Sequence, residues 1–439
     1  MIRVADVSHT HVRGPKRGRI AGSRKPRWWQ MLGPGLITGA ADDDPSGIAT
    51  YAQAGSQFGL WLGWTLVLTY PLMVAIQAIC ARIGRTTGRG IAGNLREYYP
   101  SWTLHVIVGL LCAANVLNIG ADLGAMAESV RLMVPLPVGL GVLLFGSISA
   151  GGLIFLKHTR YVAVLKWLTL SLLSYFGTLA TVRIPWSDLI RGLIWPRMSF
   201  ERDFWLTVVA VFGTTISPYL FFWQAGQEVE DTKAHPSRQP LLERPRQANS
   251  AFARIRVDTL VGMGFSNLVA LAILLTSAVT LHARGSAEIE TAAQAAAALR
   301  PVAGTSAFIL FALGIVGTGL LSVPVLAGSA AYALGEAWRW PVGLSRTPLQ
   351  AKAFYATIAL ATALGALANI LQINPMKALL WAAAINGVVS VPLMVMVMLL
   401  GSRADCMGKF HISAGLTLTG WAATLVMAAA SAVFLCSSL

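Results

Sequence analysis

Three consecutive aspartates, Asp42, Asp43 and Asp44, lie inside an apolar stretch long enough to cross a bilayer. Met31 to Ala41 precede them, and Pro45-Ser46-Gly47 leads into a second apolar run from Ile48. A carboxylate at the centre of a membrane helix costs about 3 kcal/mol on insertion scales, so it persists only with a partner or a function. Proline beside it removes a backbone donor and interrupts the helix where the charge sits. A broken membrane helix with a carboxylate at the break is a common way for a transporter to hold a cation.

The rest of the chain fits a bilayer. Hydrophobic residues make up 55% and charged residues 12%, with mean hydropathy +0.62, against roughly 25% charged in soluble domains. Windows of ~20 residues without charge recur, the length needed to span ~30 Å of hydrocarbon. Strand-like alternation is absent, which argues against a β-barrel. The expected fold class is an all-α polytopic membrane protein.

Eleven spans are expected, near 31–57, 60–82, 102–130, 137–156, 161–182, 204–226, 257–282, 302–337, 351–371, 376–400 and 412–436. The formal charge of +15 would point to nucleic acid in a soluble chain, but here the loops explain it. With the N-terminus in the cytoplasm, 26 of the 34 Lys and Arg fall on inside segments and 8 outside, as the positive-inside rule requires. An odd span count then puts the C-terminus outside. Residues 1–29 read as a basic cytoplasmic tail without a secretory cleavage pattern, and 227–256 as a solvated cytoplasmic linker. Trp186 and Trp195 in the outer loop 183–203 are expected interfacial anchors. No GxxxxGK[ST] loop occurs, so ATP drive is not indicated. The cysteines Cys80, Cys112, Cys406 and Cys436 are too scattered for a zinc site or a disulfide framework.

A second interruption falls in the sixth span, at Ser217-Pro218 within Gly213-Thr-Thr-Ile-Ser-Pro-Tyr219. Thr214, Thr215 and Ser217 can satisfy the backbone groups that Pro218 frees. The first and sixth spans each begin a group of five. One break in the first member of each fits two inverted repeats, 30–182 and 204–400, followed by an eleventh span at 412–436. Unwound carbonyls and half-helix C-termini favour a cation at the crossing.

These motifs resemble those of the Nramp family of divalent-metal transporters. The run Gly33 to Gly59, with Asp44-Pro45-Ser46-Gly47 followed by Ala49-Thr50 and Gln53-Ala-Gly-Ser-Gln-Phe-Gly59, is similar to the family's first helix and its Asp-Pro-Gly-Asn signature. Gly213 to Tyr219 resembles its sixth-helix Gly-Ala-x-x-Met-Pro-His, and Gly120-Ala-Asp122-Leu its third-helix Ala-Thr-Asp-Leu. The resemblance implies a leucine-transporter-type fold and alternating access. It places the family's metal-binding Asp at Asp44, its Asn at Gly47, its Met at Ser217, the following His at Tyr219 and a second His at Gln224. The third-helix Asp-x-x-Glu becomes Asp122-Leu-Gly-Ala125, with Glu128 close to a further turn.

Without the thioether, amide and histidines, the implied site offers a carboxylate, hydroxyls and backbone carbonyls. Such oxygen ligands suit Mg²⁺, which keeps several waters, and Mn²⁺ accepts them too. The pattern is similar to the Nramp-related magnesium transporter branch. Loss of groups that titrate near neutrality is compatible with uncoupled, potential-driven uptake.

Asp44, Gly47, Thr214 and Ser217 are therefore the expected metal site, Ser217 having helix-break capping as its alternative role. Successive helical residues turn ~100°, so Asp42 and Asp43 cannot share Asp44's direction, and one of them is expected to face an aqueous vestibule. Asp122 and Glu128 are expected to be buried acids of the third span, serving the pathway or a salt bridge. Asn386 on the tenth span is either an interhelical hydrogen bond or a water-holding group. The seven histidines form no cluster in the spans, and none is assigned a role.

The expected function is import of divalent cations, Mg²⁺ first, with an ordinary proton-coupled Mn²⁺/Fe²⁺ symporter as the nearest rival. An amino-acid transporter on the same fold would have its substrate carboxylate repelled by three aspartates. An intramembrane enzyme using aspartate-bound Mg²⁺ needs a second aspartate-rich motif. Expected partners are the lipid bilayer and the transported ion, with no nucleic acid, no ATP and no cofactor. The expected location is a bacterial inner membrane.

Overall fold

The computed structural model describes residues 34–155, 170–285, 288–371 and 373–437. The expected basic tail (1–29) and the first part of the fifth span (161–169) lie outside the described residues. Among the described residues there is no strand. The helices are α1 (Pro34–Asp42), α2 (Pro45–Phe58), α3 (Gly63–Thr87), α4 (Ile91–Tyr98), α5 (Ser101–Arg131), α6 (Val138–Phe155), α7 (Leu173–Thr181) and α8 (Trp186–Ile194). There follow α9 (Arg202–Thr215), α10 (Pro218–Ala234), α11 (Ala248–Thr280), α12 (Ala292–Ala297), α13 (Ala307–Ala337), α14 (Lys352–Ala368), α15 (Pro375–Ser402) and α16 (Ala414–Ser437). Nine helical segments among the described residues are long and apolar enough to cross a bilayer. They fit the expected eleven spans, because the first is split and its second half runs on into α3, and the fifth is only partly described.

Both expected breaks are present, and each has a local cause. α1 ends at Asp42, and Asp44 takes an extended backbone (φ −72°, ψ 170°) as the N-cap of α2, with Pro45 in the first turn. Carboxylates are favoured N-caps, and proline is tolerated there because its missing N–H would be unpaired anyway. α9 ends at Thr215, and Ser217 (φ −74°, ψ 131°) precedes Pro218 at the start of α10. Proline alone does not break these helices: Pro71, Pro324 and Pro392 lie inside α3, α13 and α15. At each break the residue before the proline is polar and extended: Asp44 caps the helix that follows, and Ser217 turns back on the carbonyls of the helix before it.

The two broken helices sit in the core of the bundle. α1 and α2 pack on α11, α9 packs on α15, and α5 packs on α13, α14 and α15. Two glycines allow the closest approaches. A Cβ on Gly55 would lie 2.1 Å from the Leu274 carbonyl oxygen, and one on Gly213 would lie 2.1 Å from that of Ala383. The outer surface stays apolar, with Phe155, Leu143 and Leu425 exposed, as a lipid-facing surface should be. Trp186 and Trp195 are exposed on and beside the short helix α8.

One expectation is corrected. The segment 227–256 is not a solvated linker, because α10 extends to Ala234, α11 begins at Ala248, and the chain between them is docked. Leu241 is buried and donates its N–H to the Arg85 carbonyl, while Arg85 Nη1 donates to the Gln239 carbonyl at 2.7 Å. Arg254 pairs with buried Glu228 at 2.5 Å. The prolines shape a turn that these long-range contacts hold down.

The glycine contacts give a paired test. Gly213→Ala should destabilise the fold by about 1–3 kcal/mol, since the added methyl meets unyielding backbone. Gly109→Ala, on an open face of α5 with nothing within 4 Å, should be neutral or slightly stabilising. Melting temperatures of the two purified variants in one detergent check both.

Candidate cation site at the crossing of two broken helices

The Asp44 carboxylate is buried (1% exposed) and accepts hydrogen bonds from four groups. Ser46 Oγ at 2.6 Å and Gly47 N at 2.7 Å donate to Oδ1. Asn118 Nδ2 on α5 at 3.0 Å and the Tyr219 hydroxyl on α10 at 3.5 Å donate to Oδ2. Three separate elements thus converge on one carboxylate. The same Tyr219 hydroxyl lies 3.1 Å from the Ala41 carbonyl, so its one proton is shared between the end of α1 and Asp44.

Thr214 and Gly47 meet at the same place. A Cβ on Gly47 would lie 3.1 Å from Thr214 Oγ1 and 3.4 Å from Asp44 Oδ1. Thr214 Oγ1 is buried and has no hydrogen-bond partner among the described residues. A buried polar oxygen without a partner, next to a carboxylate, is a natural cation ligand. Ser217 plays the other role: its hydroxyl lies 2.6 Å from the Thr214 carbonyl and 2.9 Å from the Gly213 carbonyl, closing the end of α9.

The remaining candidates divide. Asp122 is buried, accepts from Ser322 Oγ at 3.0 Å and lies within electrostatic reach of Asp44. Asn386 Nδ2 donates to Asn118 Oδ1 at 3.2 Å, so the tenth span steadies the amide that holds Asp44. Gln224 accepts from Thr38 Oγ1 at 2.5 Å, bridging α1 and α10 one layer away. Glu128 is not a buried acid: its side chain is 26% exposed and pairs with Arg131 at 3.4 Å, one turn from the end of α5. Neither Asp42 nor Asp43 faces a vestibule. Both are buried and turned to α11, where Ser266 Oγ lies 2.6 Å from Asp42 Oδ2 and 3.1 Å from Asp43 Oδ1. A hydroxyl carries one proton, so this single donor is shared between two buried carboxyl groups.

Sequence reasoning missed Asn118, Ser46, Ser266 and Met126. Asn118 was findable, because it precedes Asp122 by four residues and so shares its helix face. Met126 is buried, and a Cβ on Gly319 would lie 2.4 Å from its sulfur and 3.2 Å from the Pro45 ring. A thioether therefore packs close to the first break. It belongs to α5, where no motif singles it out.

Residues 35–437 match the family described as natural resistance-associated macrophage protein-like, Nramp. The chain is 26% identical over 367 residues to the divalent metal cation transporter MntH of Verminephrobacter eiseniae, covering 80% of each chain. It is 27% identical over 350 residues to MntH of Mycobacterium tuberculosis strain H37Rv, covering 76% of this chain and 78% of that one. Among solved structures, the Eremococcus coleocola manganese transporter superposes with a TM-score of 0.75 at 15% identity, over 94% of this chain and 88% of that one. Inward-facing Mhp1 superposes with a TM-score of 0.54 at 14% identity, over 93% and 91%. These likenesses show the fold, which is the leucine-transporter type expected from the sequence.

The geometry makes Asp44 the anchor and Asn118 its positioning partner. Asp44→Asn should abolish stabilisation of the purified protein by Mg²⁺ or Mn²⁺ in thermal-shift titrations. Asn118→Ala should keep binding but weaken it about tenfold, the usual cost of losing a group that orients a metal ligand. Wild-type titration curves for Asp44→Asn would rule the site out.

Proposed function

The chain belongs to the Nramp family and is a divalent-metal transporter of that type, and on this premise we propose that it imports Mg²⁺, with Mn²⁺ as a second substrate, by alternating access and without a coupled proton. The observation that carries the reading is the oxygen pair at the crossing, the Asp44 carboxylate and the unpartnered Thr214 Oγ1, with the Asn118 amide positioning the carboxylate. Mg²⁺ dehydrates reluctantly and is held by one or two carboxylates with several waters retained, which suits a site with few direct protein ligands.

The residues act in a simple order. Where ionised, Asp42, Asp43 and Asp122 draw a cation towards Asp44. The cation competes with Ser46, Gly47 and Asn118 for the Asp44 oxygens. Rotation of the Asn118 amide then exchanges its Nδ2 for Oδ1, turning a donor to the carboxylate into a ligand of the ion or an acceptor for its water. Because these hydrogen bonds also cap α2 and link it to α5, their exchange couples ion binding to the position of the half-helices. Asn386 holds the amide in one orientation until the ion arrives.

The driving force need not include a proton. A membrane potential of ~100 mV contributes roughly 4.6 kcal/mol to import of a doubly charged ion. The bacterial inner membrane, with the N-terminus inside and the C-terminus outside, is the proposed setting, consistent with the charge bias of the loops.

A second reading is proton-coupled Mn²⁺/Fe²⁺ symport. Two observations favour it: the names of the relatives, which are divalent-metal and manganese transporters, and the buried Met126 sulfur beside Pro45. A thioether in the ion's shell would select softer ions over Mg²⁺.

Proteoliposomes separate the readings. With a negative-inside potential and a trapped pH dye, the first reading expects uptake of Mg²⁺ and Mn²⁺ without acidification. Metal-dependent acidification that Asp122→Asn abolishes would establish the symporter instead. Selectivity gives a second test. Gly47→Asn projects an amide towards Thr214 and Asp44, and Ser217→Met supplies a thioether. Together they should shift the Mn²⁺/Mg²⁺ preference towards Mn²⁺ by about a decade, equivalent to about 1.4 kcal/mol. An unchanged ion ranking in the folded double variant would remove those positions from the ion's path.

A further inference from the structure

A second charged cavity lies far from the cation site, at the end of the bundle that the charge bias assigns to the cytoplasm. It encloses about 700 Å³ between α10, α13, the turn before α4 and the loop 342–350, a volume within the ~300–1,000 Å³ usual for small-ligand sites. Its lining carries the cations Arg89, Arg96, Lys233, Arg339 and Arg346, with Glu230 and Glu336 as the acids.

The cations outnumber the acids, and both acids are held by backbone donors. Glu336 accepts from the backbone N–H of Gly90 at 2.7 Å and of Gly93 at 2.9 Å, capping α4. Glu230 accepts from Leu344 N at 2.5 Å, Ser345 N at 3.2 Å and the Tyr332 hydroxyl. Arg89 is paired with Glu97 at 3.0 Å. Lys233, Arg339 and Arg346 make no ion pair among the described residues. Arg96 donates to the Glu336 carbonyl, while its Nε is buried without a partner.

Arg339 adds an independent observation. Among the described residues it is the one non-glycine with positive φ, at 59°. It stands between Trp338 and Trp340, whose rings stack with centroids 5.6 Å apart. Glycine would hold this turn with less strain, and residues kept in sparsely populated backbone regions cluster at functional sites.

We propose that this cavity binds a phosphate-bearing anion through Arg96, Lys233, Arg339 and Arg346. Guanidinium forks match phosphate oxygens in geometry and charge, and three of the four contacts are arginines. Lys233 lies on α10, Arg96 on α4 and Arg339 just beyond α13, so a bound phosphate bridges the second half of the sixth span to the helices around it. The anion is either a soluble phosphate compound or a lipid headgroup.

The test uses the full chain in nanodiscs and reads melting temperature and ligand titration, independently of metal transport. In phosphatidylcholine discs, pyrophosphate and ATP are titrated without added divalent metal. In a parallel arm, phosphatidylglycerol is titrated into the discs with no soluble phosphate present. One arm should give a saturable rise in melting temperature and so identify the source. Lys233→Ala with Arg346→Ala should weaken that binding at least about tenfold, as expected for lost charge-assisted hydrogen bonds. Arg244→Ala with Arg246→Ala, an equal charge change outside the cavity, should leave it intact. Arg339→Gly should raise the unliganded melting temperature while weakening binding, so that misfolding cannot mimic the result. The proposal is overturned if neither arm saturates, if the outside pair weakens binding as much as the cavity pair, or if Arg339→Gly binds like the wild type.

Discussion

The centre of this molecule depends on one carboxylate acting as a helix cap. Asp44 accepts from Gly47 N and Ser46 Oγ at the start of α2, where the helix dipole favours negative charge. That arrangement lets a carboxylate exist inside an apolar bundle without a basic partner. It also makes the carboxylate available, because a cation can take over the lone pairs that the cap occupies. In the proposed cation site, the capping of α2 and the binding of an ion would draw on the same oxygens of Asp44.

The second break is built differently. Ser217 turns back on the Gly213 and Thr214 carbonyls, so α9 closes on itself, and the hydroxyl left open is that of Thr214. The two breaks are complementary: one supplies charge and the other supplies an unpartnered oxygen. Close backbone contacts seat α2 on α11 at Gly55 and α9 on α15 at Gly213. α5 completes the site from the side through Asn118, which Asn386 on α15 steadies.

Charge elsewhere is partitioned by depth. Asp42, Asp43, Asp44 and Asp122 lie in the core, where Asp44 accepts hydroxyl, amide and backbone donors while Asp42 and Asp43 share Ser266 and one oxygen each of Asp42 and Asp122 has no partner among the described residues. Arginine-containing pairs gather at the helix ends, as with Glu228 and Arg254. Basic helix ends follow the membrane's charge rule. The family membership and the fold agree with this distribution, and the oxygen-rich lining bears on which divalent ion is preferred.

What the sequence determined by itself was whatever depends on neighbours along the chain. Hydropathy set the spans, and Asp44-Pro45 and Ser217-Pro218 set the breaks, since cap and proline act within a few residues of each other. Asp44, Gly47 and Thr214 were legible for the same reason, through local motifs at those breaks. The tertiary structure decided what depends on distant partners. Asp42 and Asp43 turn to Ser266, which lies 224 and 223 residues away, and no pattern of period 3.6 encodes that choice. Glu128 falls at a helix edge beside Arg131 rather than in the core. The chain between α10 and α11 docks through Leu241 and Arg85 although its prolines read as a free linker. Ser217 closes on its own carbonyls, which leaves the amide of Asn118 to reach Asp44 from another helix. Composition and local chemistry specify that a buried carboxylate must find partners, but only packing specifies which ones.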